Sequence, residues 1–439
     1  MPGPLSSPPP HAFSRTFQAF QVDNYRLLWP ANVITNVARF AQWTMLTWLV
    51  LDLTGSPFLV GLVGFSATIP MFAFGLFGGA LADTLNKKAL LVGAQVASLA
   101  TSLIMLGLLV SGEVRFWHAY VAVFALGAGF TVEMPARRSL IHDFLGGGRV
   151  TNGFAVDSMG QAVSRMIGPA IAGALIAFVG VRGGYYVVSG LYVASGALLS
   201  RMRGITTAPR DRVTLRGLLS EMGGGLKTTR RNGTLLAVVA ITALMNLLLF
   251  PYQHMVPVMT RDVLGVGPAL MGVLLAVDGL GSLLGAFAIA YAASIRYHGR
   301  LYAAATALAL AALYLFSLSR SYVTSLPFAL FIGVGAGIFS AMQGAIVVLV
   351  APEAERGRAL GVISLAIGAG PFGALMLGAV ANIQGPALAL RLNAAVGLTL
   401  VALIAGLMPA IRRPIIPGAR ELSLDDATTQ QGGPDVSRR

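Results

Sequence analysis

The chain has 439 residues, of which 56% are hydrophobic and 11% charged; it carries a formal net charge of +14 and has no cysteine. Soluble domains hold about 25% charged residues, so a soluble fold is excluded. A nucleic-acid binder is excluded as well, because the basic residues sit in short gaps rather than on a face interleaved with aromatics. Without cysteine, disulfide and thiolate-metal chemistry is impossible.

The first twenty residues hold Pro8-Pro9-Pro10 and no apolar core of the kind a signal peptide needs, so residues 1–22 are expected to be a disordered cytoplasmic tail. Twelve apolar stretches follow, at 27–52, 58–82, 88–111, 116–136, 152–179, 183–201, 234–260, 267–294, 300–319, 323–350, 359–383 and 387–410. Each suits a helix crossing a hydrocarbon layer of about 30 Å. The expected architecture is an all-α membrane protein with an N-terminal six-helix half at 23–201 and a C-terminal half at 234–411. Between them lies a basic cytoplasmic linker at 202–233 with a short amphipathic helix, and a disordered cytoplasmic tail is expected at 412–439.

The first stretch carries Asn32, Asn36, Arg39, Gln42 and Trp43 at spacings of three and four, a single polar stripe. Lys87 and Lys88 follow the second stretch, and Glu133, Arg137 and Arg138 close the fourth. In the fifth, Asp157, Gln161 and Arg165 are four apart and share one helix face. The linker concentrates Arg201, Arg203, Arg210, Arg212, Arg216, Lys227, Arg230 and Arg231, while the alternate gaps hold little beyond Arg115, Arg182, Arg261 and Arg320. That asymmetry places both termini in the cytoplasm. The seventh stretch offers Asn246, Phe250, Gln253 and His254, the eighth Asp278 and the tenth Gln343 as candidates for the opposite wall of a cavity. Gly168, Gly173 and Gly180 recur at a constant offset as Gly373, Gly378 and Gly385, which supports duplication of a six-helix unit.

Charge deep in a bilayer is costly and usually faces a cavity or a partner. At ~1.5 Å per residue, Arg39, Arg165 and Asp278 come out near the midplane. The arginines suit carboxylate, catecholate or phosphate oxygens of a ligand, or else pair with Asp157, Glu133 or Asp278 to hold the halves together; both readings stand on the sequence. Asp278, then Asp157 and Glu133, are the carboxylates able to couple transport to protons. Glu133 also suits a cytoplasmic gate with Arg137 or Arg138. An integral membrane enzyme finds no support: His11, His118, His142, His254 and His298 lie on unrelated segments without ligand spacing, and no G-x-x-x-x-G-K-[ST] phosphate loop occurs.

Three stretches carry a family resemblance. Gly79-Ala80-Leu81-Ala82-Asp83-Thr84-Leu85-Asn86-Lys87-Lys88 resembles the G-x-x-x-D-x-x-G-[RK]-[RK] loop of the major facilitator superfamily, with Asn86 where that family has glycine. The resemblance makes Gly79 a close helix contact, Asp83 a gate residue and the two lysines headgroup anchors. Gly168-Pro169-Ala170-Ile171-Ala172-Gly173 resembles the G-P-x-x-G motif of the superfamily's drug-efflux antiporters. Trp48 to Pro57, Pro135 to Ser139 and Arg356-Gly357-Arg358 are similar to the branch that includes macrolide effluxers and the enterobactin exporter. The resemblance implies a monomeric, proton-driven secondary exporter of a small organic molecule, either an amphipathic drug or a siderophore-like anion. It works by alternating access in a bacterial inner membrane, with no cofactor beyond the proton gradient. A lysolipid translocator or a uniporter on the same scaffold is the alternative.

Overall fold

A computed structural model describes residues 18–84, 86–146, 149–203, 215–292, 295–352 and 355–415, with residues 75–84 and 215–222 described for their backbone alone. The described chain is helical throughout. Helices α1 (Asp23–Thr54), α2 (Pro57–Thr84), α3 (Lys87–Ser111) and α4 (Phe116–Leu145) are followed by one 52-residue run, Arg149–Ser200. At 1.5 Å per residue that run would be ~78 Å long, more than twice a hydrocarbon core, and it breaks at Gly180 (φ 71°) into α5 (149–179) and α6 (181–200). The linker helix α7 (Leu215–Arg231) leads to α8 (Gly233–Val263), α9 (Pro268–Tyr291), α10 (His298–Leu318), α11 (Tyr322–Val350), α12 (Arg356–Gln384) and α13 (Pro386–Leu407).

Ten described segments are long and apolar enough to cross a membrane. One of these is the Arg149–Ser200 run, which makes two crossings. Helix α1 is a further span of 32 residues whose polar stripe dilutes its hydropathy. Among the described residues the crossings therefore number twelve, and the protein is an integral membrane protein. Both ends of the described chain come out on one side, called here the terminal side. There the boundaries differ from the sequence expectation. Gln18–Gln21 forms a 3₁₀ turn with Ala19 buried and its N–H donated to Asn152 Oδ1 at 3.3 Å, so the folded N-terminal half starts before residue 23. A second turn, Pro409–Arg412, extends the other half past 411, and Ile415 N–H donates to the Arg296 carbonyl.

The two halves meet along two seams, α5 against α9 and α2 against α12. Both run through glycine. A Cβ on Gly173 would overlap the Pro268 carbonyl and lie 2.7 Å from Gly272 Cα; one on Gly61 would lie 2.8 Å from Gly378 Cα. Backbones that close need small residues and little else. The repeated glycines do the same work in each half. Gly168 packs on α1 at Phe40, and Gly373 packs on α8 at Leu247. Gly173 and Gly378 face the opposite half, while Gly180 and Gly385 (φ 85°) end their helices in the left-handed region. These seams lie toward the side away from the termini. There Arg261 Nη1 also donates to the Leu51 carbonyl at 2.8 Å, and Ser56 Oγ donates to Asn382 Oδ1 at 3.1 Å. On the terminal side, Gly233–Leu244 and Arg356–Ile367 make their main contacts within their own half and with α7.

Helix α8 is irregular. Its middle and end, Met245–Leu249 and Met259–Val263, wind as π-helix around Pro251 and Pro257. Proline supplies no N–H, so the ladder must lose a bond near each. The Leu248 carbonyl finds a donor in Asn393 Nδ2 of α13 at 3.2 Å.

Asn86, which stands where the family pattern has glycine, keeps an ordinary extended backbone. Its φ is −62°, and its side-chain oxygen accepts from Lys88 N–H (3.0 Å) and Ala89 N–H (3.1 Å), which caps α3. Asn86→Ala is expected to lower stability by about 1 kcal/mol, to be checked by thermal unfolding of the purified protein in detergent. Asn86→Ser should recover most of that loss.

Candidate functional site

The polar stripe of α1 folds into a buried ionic cluster with α4 and α5. Asp157 accepts from Asn32 Nδ2 at 2.6 Å and from Gln161 Nε2 at 3.3 Å. Asn32 Oδ1 accepts in turn from Asn36 Nδ2 (2.8 Å) and Arg137 Nη1 (2.8 Å). Arg39 donates to Asn36 Oδ1 at 2.9 Å and pairs with Glu133, whose other oxygen takes Arg137 Nη1 at 3.0 Å. Arg137 Nε also lies 3.5 Å from Asp157 Oδ1. Two guanidiniums and two carboxylates thus neutralise one another, and Arg39 is 1% exposed and Glu133 6%. The Arg39 guanidinium also lies 4.9 Å from the Phe130 ring centroid, a cation–π contact. Arg39 is thus ion-paired, but to Glu133 of its own half, so against the sequence expectation the pair does not hold the two halves together.

Several stripe residues serve packing. Gln42 is fully buried and accepts from the Tyr192 hydroxyl at 3.0 Å, holding α1 to α6. Trp43 stands edge-on to Phe40 with centroids 5.7 Å apart. The lysines after α2 do not extend toward headgroups: Lys87 Nζ pairs with Asp143 at 2.5 Å, and Lys88 Nζ donates to the carbonyls of Ser200 (3.0 Å) and Met202 (2.5 Å) at the end of α6. Free carbonyls at a helix C-terminus attract cations. Arg138 is exposed beside the cluster. Gly79 and Asp83 lie on α2 where the backbone alone is described, so their side-chain roles fall outside the described residues.

Across the seam, Asp278 on α9 is 5% exposed and accepts from Gln253 Nε2 at 3.0 Å, with Tyr252 beside it. Gly279, the next residue, sits against α5, where a Cβ would lie 2.7 Å from Met166 Cα. Arg165 is half-buried on that stretch of α5, and among the described residues it makes no ion pair or hydrogen bond; its charge faces Asp278 at longer range. One arginine without a close partner and one carboxylate therefore face each other from opposite halves. Deeper in the C-terminal half, Gln343 Nε2 donates to Thr242 Oγ1 (2.8 Å), Asn246 Nδ2 donates to the Thr242 carbonyl (2.9 Å), and the Tyr302 hydroxyl meets Thr242 Oγ1 (2.9 Å). Phe339 stacks on Tyr302 and stands edge-on to Phe250. Asn246, Phe250 and Gln343 thus come together, joined by Thr242, Tyr302 and Phe339.

Sequence reasoning missed the seam residues Gly61, Gly272 and Gly279 and the Arg261 clasp. Gly272 and Gly279 carried a signal, since they lie six places from Asp278 and directly beside it on a spanning helix. Arg261 carried none beyond being a lone arginine in a short loop. The G-P-x-x-G motif joins two helices to α5: Gly168 seats α1 and Gly173 seats α9. Pro169 lies between them, buried, its carbonyl 2.8 Å from where a Gly272 Cβ would stand.

The sequence profile of a family described as transmembrane secretion effector matches residues 14–415. The multidrug efflux pump Tap of Mycolicibacterium fortuitum is 27% identical over 355 residues, which span 77% of this chain and 84% of that one. Macrolide efflux protein A of Streptococcus pyogenes is 19% identical over 239 residues, or 54% of this chain and 58% of the relative. Among solved structures, a bacterial homologue of the human lysosomal transporter Spinster, inward-facing and unoccupied, superposes with a TM-score of 0.68 at 15% identity, covering 89% of this chain and 98% of the other. The nucleoside transporter NupG superposes with a TM-score of 0.64 at 14% identity, covering 88% and 99%. At these identities the solved structures establish the fold.

Proposed function

The chain belongs to the transmembrane secretion effector family, within the major facilitator fold, and is a transporter rather than an enzyme; from that premise we propose that it exports a small amphipathic organic molecule, driven by protons, by alternating access. The proposal places it in a bacterial cytoplasmic membrane with both termini in the cytoplasm, and takes the folded chain as a monomer. One observation carries it. The halves touch along glycine seams on the side away from the termini, while their terminal-side segments pack within their own half. A cytoplasmic terminal side makes this the inward-open state, ready to load cargo from inside the cell. The pump Tap and macrolide efflux protein A support the outward direction.

The roles divide by geometry. The neutral cluster of Arg39, Glu133, Arg137 and Asp157 holds the N-terminal half together as one rigid body. Asp278, buried against the seam and facing Arg165 on the other half, is the group through which a proton and the inter-half contact influence each other. Gln161, Arg165, Asn246, Phe250 and Gln343 line the substrate path. Asp278→Asn is expected to abolish flux driven by an imposed pH gradient in proteoliposomes, because an amide has no carboxyl proton to bind on one side and release on the other. Substrate counterflow, which needs no net proton movement, should survive. Gradient-driven flux at the wild-type rate would remove Asp278 from the coupling.

A lysolipid translocator is a second reading, favoured by one feature. An apolar crevice of about 310 Å³ opens on the lipid face between α8, α12 and α13, with Leu248, Met376 and Val396 on its walls. Such a crevice has the character of an acyl-chain seat. Transport of a lysolipid in preference to soluble amphiphiles in the same proteoliposomes would favour this reading.

A further inference from the structure

Part of the basic inventory of the terminal side is committed to the protein itself. Lys87 and Lys88 are held as described, Arg137 is buried in the ionic cluster, and Arg300 stacks on Tyr297 and donates to the Arg412 carbonyl at 2.9 Å. Arg138, Arg149, Arg358 and Arg413 are exposed singly, whereas helix α7 gathers three exposed cations on one face. Taking ~100° per residue, Gly225, Thr228 and Thr229 fall on one arc, and this arc meets α12. A Cβ on Gly225 would stand 2.5 Å from the Arg358 carbonyl, Thr228 Oγ1 donates to Glu355 Oε2 at 2.7 Å, and Thr229 is buried. Leu226, Arg230, Lys227 and Arg231 fall on the remaining arc, ~140° wide, and all four are exposed, Leu226 by 44%. None of the three cations makes an ion pair among the described residues.

We propose that this arc of α7 is a docking surface for the headgroups of anionic phospholipids in the terminal-side leaflet. The helix packs on the first turns of α8 and α12, both of which enter the bilayer, so it sits at the level where those helices leave the membrane. Three unneutralised cations face a surface that is negative when anionic lipid is present, and Leu226 at the border of the arc supplies an apolar contact with the acyl boundary. The contact has mechanical reach. The chain entering the linker is clipped to the N-terminal half by paired bonds between Asn24 and Arg203 (2.8 and 3.2 Å), while α7 is seated on the C-terminal half. A lipid grip on α7 therefore holds one half to the leaflet while the other moves.

The chain lacks cysteine, so Leu226→Cys gives a single labelling site. With bimane at that site, the protein is reconstituted into phosphatidylcholine vesicles with and without about 30% phosphatidylglycerol, and quenching by brominated acyl chains is read. The expected result is quenching at least about threefold stronger with phosphatidylglycerol, lost in 0.5 M salt and lost when Lys227, Arg230 and Arg231 are changed to Gln. Retention of the signal when Arg230 and Arg231 are changed to Lys would show that charge is what is read. Equal quenching in both vesicles would mean apolar insertion alone, and no quenching in either would mean that the arc faces water or a soluble partner; either result overturns the proposal.

Discussion

Gly173→Val is expected to reduce transport by about 10- to 100-fold while leaving the N-terminal half intact, because position 173 faces the other half. Overpacking a tight contact costs about 1–3 kcal/mol. Here that cost falls only on the state closed on the side away from the termini, so it shifts the equilibrium between states by the corresponding 5- to 150-fold. Ser56 and Asn382, hydrogen-bonded at 3.1 Å across that closure, supply the gauge. Cysteines at both positions should cross-link readily in an otherwise wild-type chain and far more slowly with Gly173→Val. Gly168→Val supplies the contrast. Its Cβ would lie 2.6 Å from Phe40 Cβ inside the same half, so it should lower thermal stability in both states and leave cross-linking of the surviving folded protein unchanged. If the two variants behave alike, the motif has one role and the division of labour along α5 is wrong.

Glu133→Gln is expected to be among the most destabilising single changes in the chain, by about 3–5 kcal/mol. Glu133 is the carboxylate shared by Arg39 and Arg137, and without it two buried guanidiniums are left with Asp157 alone. A buried charge that loses its partner keeps its desolvation penalty, which is why breaking a pair costs more than replacing both members. Arg39→Met combined with Glu133→Gln should therefore recover part of the loss, and a double-mutant cycle in detergent unfolding measures the coupling. A proton-carrying Glu133 would behave otherwise: Gln would imitate its protonated form, stability would hold, and only the pH dependence of flux would change. Wild-type stability in the single variant would thus move Glu133 from scaffold to coupling.

The sequence made the architecture legible because membrane crossing imposes length and hydropathy on every element. It located eleven spans by composition and the first in spite of its polar stripe. It also exposed the duplication through three glycines. It could not say which polar residues face a ligand, because helical spacing shows that Asn32, Asn36 and Arg39 share a face but not what that face meets. The face meets Glu133, Arg137 and Asp157, which lie about one hundred residues away in the chain. Arg39 and Arg165 looked equivalent by depth, and they part only in three dimensions, one paired within its half and the other facing across the seam. Lys87 and Lys88 likewise fitted a headgroup role, and the nearby Asp143 and the open carbonyls at the end of α6 claimed them instead.

The matched glycine triplets have an implication for how the molecule is built. When each half offers the same backbone surface to the other, at Gly173 in one and Gly378 in the other, the arrangement is that of a self-complementary two-fold dimer whose subunits have been joined end to end. In such an assembly affinity between subunits need not be high, since a tether keeps the local concentration of each near the millimolar range for the other. The seams are correspondingly narrow and rest mainly on small residues. A free dimer would have to bind strongly to persist and would then resist opening. The fused chain stays assembled through its connection, and its interfaces are left free to be weak enough to part.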